Sequence, residues 1–254
     1  MIVNLPDMPE RTIRPRKSGL TMVMDKGLSL REAEDLMEVG SEYIDYLKLG
    51  FGTAVYTPGL RKKIKVYESA GVKTYLGGTL FEAFVIRNMF DEFTGLMDDL
   101  GLTSVEVSDG SYEMQQSDKQ HYIELLAKKY HVLSEVGSKK KEVIYTPEEW
   151  VSMMVSELAA GSEKVIAEAR ESGTTGIYND DGSVNSILID KLSDDVGIEN
   201  IIWEAPLKSQ QAWFIKQFGA NVNLGNISPR EIIALESLRN GLRGDTFFRF
   251  LSHE

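Results

Sequence analysis

The sequence predicts an α/β protein folded as a single-domain (β/α)8 TIM barrel, and three observations support this prediction. Eight short apolar runs occur along the chain, and each ends in a charged or glycine-rich cluster. Stretches with helical periodicity separate these runs, so strand and helix alternate with about 20 to 35 residues per unit. The chain has 254 residues, and barrels of about 250 residues form around one core. We therefore expect an N-terminal extension over residues 1–17 and the barrel over residues 18–254.

The predicted strands are short and apolar, as expected for strands covered on both faces. Each is bounded by turn-forming residues or by charged residues rather than by a continuing apolar run. In chain order, we predict them at residues 21–24, 44–49, 72–76, 104–107, 131–134, 164–169, 200–203 and 221–224.

The helices between the strands carry recognisable start and stop signals. Ser29 and Glu32 form a capping-box pattern at the first helix. We predict that the second helix starts at Pro58 and ends near Gly71, in agreement with the preference for proline at helix starts and glycine after helix ends. The helices after strands 3, 4, 5 and 8 are predicted to span about 81–100, 117–129, 147–161 and 229–240.

Two features of the chain limit the classes of function. A formal net charge of −11 disfavours binding to nucleic acid or to an anionic membrane surface. Cysteine is absent, so disulfides, zinc-thiolate sites and cysteine nucleophiles are excluded, and no apolar signal segment begins the chain. We expect a cytoplasmic protein that binds small molecules, and we interpret the basic run at residues 61–63 as a solvated helix face.

Charged side chains at the carboxyl ends of the predicted strands form the candidate site. A charge inside a barrel strand is costly unless it is paired, whereas a charge at the strand end faces the open mouth where barrel active sites lie. For any single member, a salt bridge that closes the mouth is an equally good interpretation. The candidates are Asp25, Lys26, Lys48, Glu106, Asp109, Glu135, Lys139, Glu168, Arg170, Glu204 and Lys208.

The loops after strands 7 and 8 are candidates for binding a phosphate group, as they are in many barrels. Lys208 and Ser209 supply a cation and a helix-capping hydroxyl after strand 7. Gly225 and Asn226 supply a close backbone approach and an amide after strand 8, before the possible cap Ser228. For Ser209 and Ser228, simple helix capping is the alternative role. The long loop at 170–182 is typical of a lid or ligand-binding loop.

Other site chemistries fit the sequence poorly. The three histidines are not positioned for a metal triad or a Ser-His-Asp set, and neither dinucleotide-binding nor P-loop glycine motifs occur. Carboxylates at strand ends suit a hard, oxygen-liganded ion such as Mg²⁺. Paired carboxylates also serve glycoside hydrolysis, but the number of cations here exceeds what a neutral sugar requires.

Taken together, eight segments resemble the phosphosulfolactate synthase family, and the resemblance extends from about residue 17 to residue 247. That family is similar to known (β/α)8 barrels and adds sulfite to phosphoenolpyruvate with Mg²⁺, giving (2R)-O-phospho-3-sulfolactate. It serves coenzyme M synthesis in methanogens and is associated with sulfolactate in bacteria. The segments are Lys48–Thr53, Gly77–Glu82, Glu106–Gly110, Glu135–Gly137, Glu168–Gly173, Glu204–Gln211, Val222–Ile227 and Leu238–Thr246.

The resemblance implies roles for individual residues. A lysine after the Glu-Val-Gly segment is the expected general acid for C2; here Ser138 intervenes, so Lys139 is the best match and Lys140 is the alternative. Lys48, Arg170 and Lys208 are expected to offset the charge of the two anionic substrates, with Lys208, Asn226 and Arg170 at the phosphate. The expected Mg²⁺ ligands are Glu106, Glu135 and Glu204.

Two other functions remain open at this stage. One is a different lyase or aldolase that acts on a phosphorylated small acid. The other is a non-catalytic role through protein contacts, because a plant heat-stress protein group also resembles this family. We expect a homo-oligomer, and we expect the segment at 243–246 to form a closing or oligomer contact at the amino-terminal face of the barrel.

Overall fold

Eight parallel strands form the barrel, and their spatial order is β3-β2-β1-β8-β7-β6-β5-β4. The structure is a computed structural model that describes residues 5–138, 143–169, 172–174 and 176–251. Within these residues, backbone pairing joins all neighbours in that order and leaves β3 and β4 unpaired with each other. The strands are β1 (Thr21–Asp25), β2 (Tyr46–Leu49), β3 (Lys73–Leu76), β4 (Ser104–Val107), β5 (His131–Val136), β6 (Lys164–Ala167), β7 (Ile201–Glu204) and β8 (Leu224–Ile227). The predicted barrel is confirmed.

Helices cover the outside of the strands, and the predicted capping box of the first helix is confirmed. Ser29 and Glu32 make both bonds of the capping box, and Gly101 ends a helix with a left-handed φ of 71°. Within the described residues, no helix is both long and apolar enough to cross a membrane. The helices are α1 (Leu30–Gly40), α2 (Leu60–Ser69), α3 (Gly78–Val85), α4 (Phe90–Leu100), α5 (Gln116–Ala127), α6 (Pro147–Ala159), α7 (Ser186–Leu192), α8 (Lys208–Phe218) and α9 (Ile232–Arg239).

Several predicted bounds differ from the structure by one to three residues; the second helix, for example, begins at Leu60 and not at Pro58. Two of the differences matter most. The single helix expected at 81–100 is two helices, α3 and α4, separated at Asn88, whose φ of 57° is incompatible with a continuous helix. Strand 8 begins three residues later than predicted. The side chain of Asn223 is buried and bonds to Leu20 N and Ile201 O, so a side chain contacts the neighbouring backbone before the regular ladder begins. Gly225 and Asn226 therefore lie within β8 instead of following it.

The barrel interior is apolar below its carboxyl-terminal end. Its side chains form a cluster separate from the larger core between strands and helices: Leu20, Met22, Tyr46, Tyr75, Leu133, Ile166 and Ile202. On β2, Tyr46 and Lys48 are two residues apart, so alternation places both on the inward face. The apolar cluster is consequently the floor on which the charged residues of the next level rest.

We call the amino-terminal end of the strands the base, and arginines close it. Arg239 is fully buried and donates to the carbonyls of Ala220 and Val222. Residues before β1 lie against the same end, where Arg11 pairs with Glu236 at 2.8 Å and Arg16 with Asp45 at 3.2 Å. The base is thus held by cations whose partners are carboxylates and backbone carbonyls.

Candidate active site

We call the opposite end of the barrel the mouth, and at its centre a single lysine contacts three carboxylates. Lys48 Nζ lies 2.9 Å from Glu106 Oε1, 2.8 Å from Glu135 Oε2 and 3.6 Å from Glu204 Oε1. The four side chains come from β2, β4, β5 and β7, and each is buried, with Lys48 exposing 6% of its surface. Four strand ends that the sequence singled out therefore converge at one point.

A fourth carboxylate, that of Glu168, completes what we call the mouth cluster: Lys48, Glu106, Glu135, Glu168 and Glu204. One oxygen from each of Glu135, Glu168 and Glu204 lies within 4.8 Å of the others. The donor set consists entirely of carboxylate oxygens, which suit a hard divalent cation. The metal ligands expected from the sequence resemblance included Glu106 where this grouping has Glu168.

The hydrogen bonds of Glu106 and Glu204 show which carboxylate oxygens of the cluster could still accept a proton or bind a cation. Glu106 Oε1 accepts from Gly78 N at 2.6 Å, and Glu204 Oε2 accepts from Ala169 N at 2.7 Å. The second oxygen of each carboxylate is buried and accepts no hydrogen bond from the described residues, although that of Glu204 lies 3.6 Å from Lys48 Nζ. Buried carboxylate oxygens in this state are costly unless a proton or a cation satisfies them, so the residues present fit a bound divalent cation.

Burial and mutual repulsion shift the titration of the mouth cluster. Burial raises the pKa of Glu204 to about 8; Lys48 opposes this rise, while Glu135 and Glu106 add to it. Burial also raises the pKa of Glu106. For Lys48, burial alone would lower the pKa, but the adjacent carboxylates outweigh it and raise that pKa well above its ordinary value. Burial thus favours the protonated form of Glu204, while the neighbouring carboxylates favour the charged form of Lys48.

Two adjacent cavities open at the mouth. The mouth cavity has a volume of about 350 Å³ and lies over the cluster, where Lys48, Glu135, Glu168 and Glu204 contribute to its lining. The side cavity has a volume of about 130 Å³ and is lined by Met24, Lys26, Pro206, Asn226, Ile227 and Ser228. Met24 and Asn226 line both cavities. The two spaces are therefore neighbours that share a wall.

Phe51 also lines the mouth cavity, and a search based on charge missed it. Its φ of 54° is left-handed, which is uncommon for a bulky residue, and its side chain is exposed. It lies between Gly50 and Gly52, directly after β2. The Gly-Phe-Gly pattern was the available sequence signal, because backbone strain of this kind collects at functional sites.

Two strand-end aspartates prove to be structural. Asp25 Oδ2 lies 2.7 Å from Lys63 Nζ and accepts a hydrogen bond from Tyr67. Lys119 Nζ lies 2.9 Å from both Asp109 and Glu157. Lys63 and Lys119 are each 1% exposed, so the interpretation of residues 61–63 as a solvated face is wrong for Lys63. Asp25 and Asp109 therefore form structural salt bridges, which is the alternative given for single strand-end charges in the sequence analysis.

The residues after strand 7 support the loops around the mouth. Lys208 pairs with Asp245 at 3.0 Å, so the 243–246 segment contacts the first residue of α8. Gln210 donates to Gly173 O at 2.9 Å and accepts from Leu207 N. Leu207 occupies the N-cap position, so the predicted capping role of Ser209 is wrong.

The residues of β8 and the turn after it have separate roles. A Cβ on Gly225 would lie 2.7 Å from Met22 Cε, which explains a glycine there without a substrate contact. Asn226 lines both cavities, as a substrate-binding residue would. Ser228 caps the following turn, as predicted.

The predicted catalytic residues Lys139 and Arg170, and the alternative Lys140, lie outside the described residues.

Comparison with known proteins gives one consistent result. The model of the (2R)-phospho-3-sulfolactate synthase family matches residues 9–245. The phosphosulfolactate synthase of Methanothermobacter thermautotrophicus is 42% identical over 244 residues, which cover 94% of this chain and 95% of that protein. The Bacillus subtilis protein of the same name is 41% identical over 245 residues, which cover 95% of this chain and 97% of that protein.

A solved structure supports the fold independently. The 3-hexulose-6-phosphate synthase of Salmonella typhimurium superimposes with a TM-score of 0.55, covering 85% of this chain and 98% of that chain. Its sequence identity is 13%, so the similarity concerns the barrel alone.

Proposed function

This chain belongs to the (2R)-phospho-3-sulfolactate synthase family, and on that premise we propose that its mouth adds sulfite to phosphoenolpyruvate. The reaction adds sulfite across the C2–C3 double bond and leaves the phosphate ester intact. An enzyme that joins two molecules by addition to a double bond in this way is a lyase. The observation that carries the proposal is the convergence of Lys48 with Glu106, Glu135 and Glu204 at the mouth of a family barrel.

The proposed cofactor is Mg²⁺, held by Glu135, Glu168 and Glu204. The closeness of their oxygens supports this ligand set, as does the burial of all three carboxylates. When bound, the ion supplies Lewis acidity toward the substrate carboxylate. Glu106 has a different role in this proposal: it accepts from Gly78 N and pairs with Lys48, so it positions that lysine.

Lys48 acts as a fixed positive charge. Its raised pKa makes it a poor proton donor, because a general acid works best with a pKa near the operating pH. Its contacts with three carboxylates instead hold the ammonium where negative charge develops on the substrate. The lysine thus contributes electrostatic stabilisation and leaves proton transfer to another residue.

The bond changes require one nucleophile and one proton. Sulfite supplies both electrons of the new bond from sulfur to C3, and the electrons of the C2–C3 double bond move toward the substrate carboxylate. A proton delivered to C2 then restores the carboxylate and creates the 2R centre. On the family resemblance, we assign this proton to Lys139, with Lys140 as the alternative, and we assign Arg170 to charge compensation.

The direct test is to mix purified protein with Mg²⁺, phosphoenolpyruvate and sulfite and to follow phosphosulfolactate by phosphorus NMR. Lys139→Ala is expected to lose at least about 100-fold in kcat, a typical contribution of general acid catalysis. Lys140→Ala in parallel assigns the donor, and Lys62→Ala, on the exposed face of α2, is the matched control. Failure of the wild-type protein to form product would disprove the proposal.

A further inference from the structure

The side cavity differs in charge from the mouth cavity. Among the described residues that line it, Lys26 is the only one with a formal charge. The described lining of the mouth cavity contains three carboxylates and one ammonium. At separations of a few ångströms, this difference in sign strongly affects where an anion prefers to sit, because opposite charges at 4 Å attract by about 1 kcal/mol even in bulk water.

The size of the side cavity suits a small polyatomic ion. Its volume of about 130 Å³ is roughly four times the share of about 30 Å³ that one water molecule occupies in the liquid. A group with four or five heavy atoms therefore fits. Lys26 is exposed at the end of β1, so an ion can reach it from solvent.

Asn226 stands in the wall shared by the two cavities. Its backbone φ is 55°, a conformation that asparagine tolerates better than most residues. Its amide oxygen is buried and accepts no hydrogen bond from the described residues. Because this oxygen accepts no such bond, the amide can turn so that its NH2 group, the end that can donate to an oxyanion, faces the side cavity.

We propose that Lys26 and Asn226 form a subsite for a pyramidal or tetrahedral oxyanion, which is either sulfite or the phosphate group of phosphoenolpyruvate. The inference rests on the proposed function, since that reaction must bring two anions together. Holding one oxyanion in the side cavity places it beside a cation and across a shared wall from the carboxylate cluster. The like charges of the two substrates are thereby kept apart until the reacting atoms meet.

The test compares Lys26→Gln with Lys62→Gln, which removes the same charge from the exposed face of α2. We expect Lys26→Gln to raise the KM for one substrate by about tenfold or more, the size expected for a hydrogen bond to a charged group. The KM for the other substrate should stay within about twofold, and Lys62→Gln should change neither. The substrate that responds identifies the oxyanion.

Asn226→Asp provides a second variant, since it keeps the side-chain shape and adds a negative charge. It should raise the KM for the same substrate by more than Lys26→Gln does. The proposal is overturned if both KM values rise equally, which would indicate a general field effect, or if neither responds in the two variants.

Calorimetry separates this proposal from the proposed function. Inorganic phosphate and sulfite are each titrated into the Mg²⁺-loaded wild type and the Lys26→Gln variant. Loss of binding in the variant supports the subsite even if the wild type shows no turnover, whereas equal binding by both proteins overturns it. If the wild type is active and the variants keep their KM values and their anion binding, the subsite is refuted while the proposed function stands.

Discussion

The two ends of the barrel both bury charge, but they balance it differently. At the base, Arg239, Arg11 and Arg16 face carboxylates and backbone carbonyls. At the mouth, Lys48 contacts three carboxylates, and buried oxygens of Glu106 and Glu204 accept no hydrogen bond from the described residues. The base uses charge to complete the hydrogen bonding of the fold, whereas the described residues of the mouth leave buried carboxylate oxygens that a ligand could satisfy.

The chemistry of the two cations fits this difference. The guanidinium group of Arg239 has several donors in a fixed plane and bonds to carbonyls contributed by separate residues. The ammonium of Lys48 is a compact charge that carboxylates can surround. Substitutions at the two positions should therefore affect different properties.

The largest effect is expected for Lys48→Met, and it should fall on activity. Loss of the ammonium removes a fixed positive charge from the mouth, and the expected loss in kcat is about 10²- to 10³-fold, as for removal of one charge-stabilising donor. Stability should fall less than in the base variant below, since the buried carboxylates can take up protons in its place. Steady-state kinetics and urea unfolding of the same preparation measure both.

Arg239→Met should show the reverse pattern. It leaves buried carbonyls without their donor and should lower the free energy of unfolding by about 3–5 kcal/mol. The kcat of the folded fraction should be unchanged. Arg31→Met, at an exposed position of α1, is the control and should change stability by less than about 0.5 kcal/mol. A variant that lost kcat but kept its stability would contradict the structural role of the base.

Within the mouth, Glu168→Gln and Glu106→Gln separate metal binding from positioning. Glu168→Gln should weaken Mg²⁺ binding by at least about tenfold, since it removes a proposed ligand. Glu106→Gln should affect kcat more than Mg²⁺ affinity, because Glu106 contacts Lys48 and Gly78 N. Calorimetric titration with Mg²⁺ distinguishes the two variants. If Glu106→Gln weakened Mg²⁺ binding more than Glu168→Gln did, Glu106 would be the ligand in place of Glu168.

The most gradual effect concerns pH. Because burial raises the pKa of Glu204 to about 8, protons compete with Mg²⁺ below that pH, and the apparent affinity should fall by up to about tenfold per unit. A carboxyl whose pKa is higher folded than unfolded stabilises the protein fully at low pH and loses that contribution as the pH rises through about 8. In EDTA, Tm should therefore decline from pH 5 to 8.5, and the gain in Tm from Mg²⁺ should widen. A gain independent of pH would contradict the assignment.

The fold could be predicted to a large extent because strand ends and helix caps carry local signals. Ser104–Val107 is a strand as predicted, whereas strand 8 was displaced because the buried contacts of Asn223 leave no sequence signature. The rule that charges at strand ends face the mouth located Lys48 and Glu135. It did not separate them from Asp25 and Asp109, because the lysines that neutralise those aspartates come from helices.

The unpaired border between β3 and β4 gives the barrel a mechanical weak line. Side chains cross it near the mouth, where Gly78 N donates to Glu106 and Ser108 donates to Glu82. Elsewhere around the barrel, backbone ladders join the neighbouring strands. Thermal opening should consequently begin at this border, and hydrogen exchange should be fastest there. Glu106 also contacts Lys48, so a residue of the mouth cluster helps to hold β3 and β4 together. A ligand bound in that cluster would therefore stabilise the whole barrel against opening.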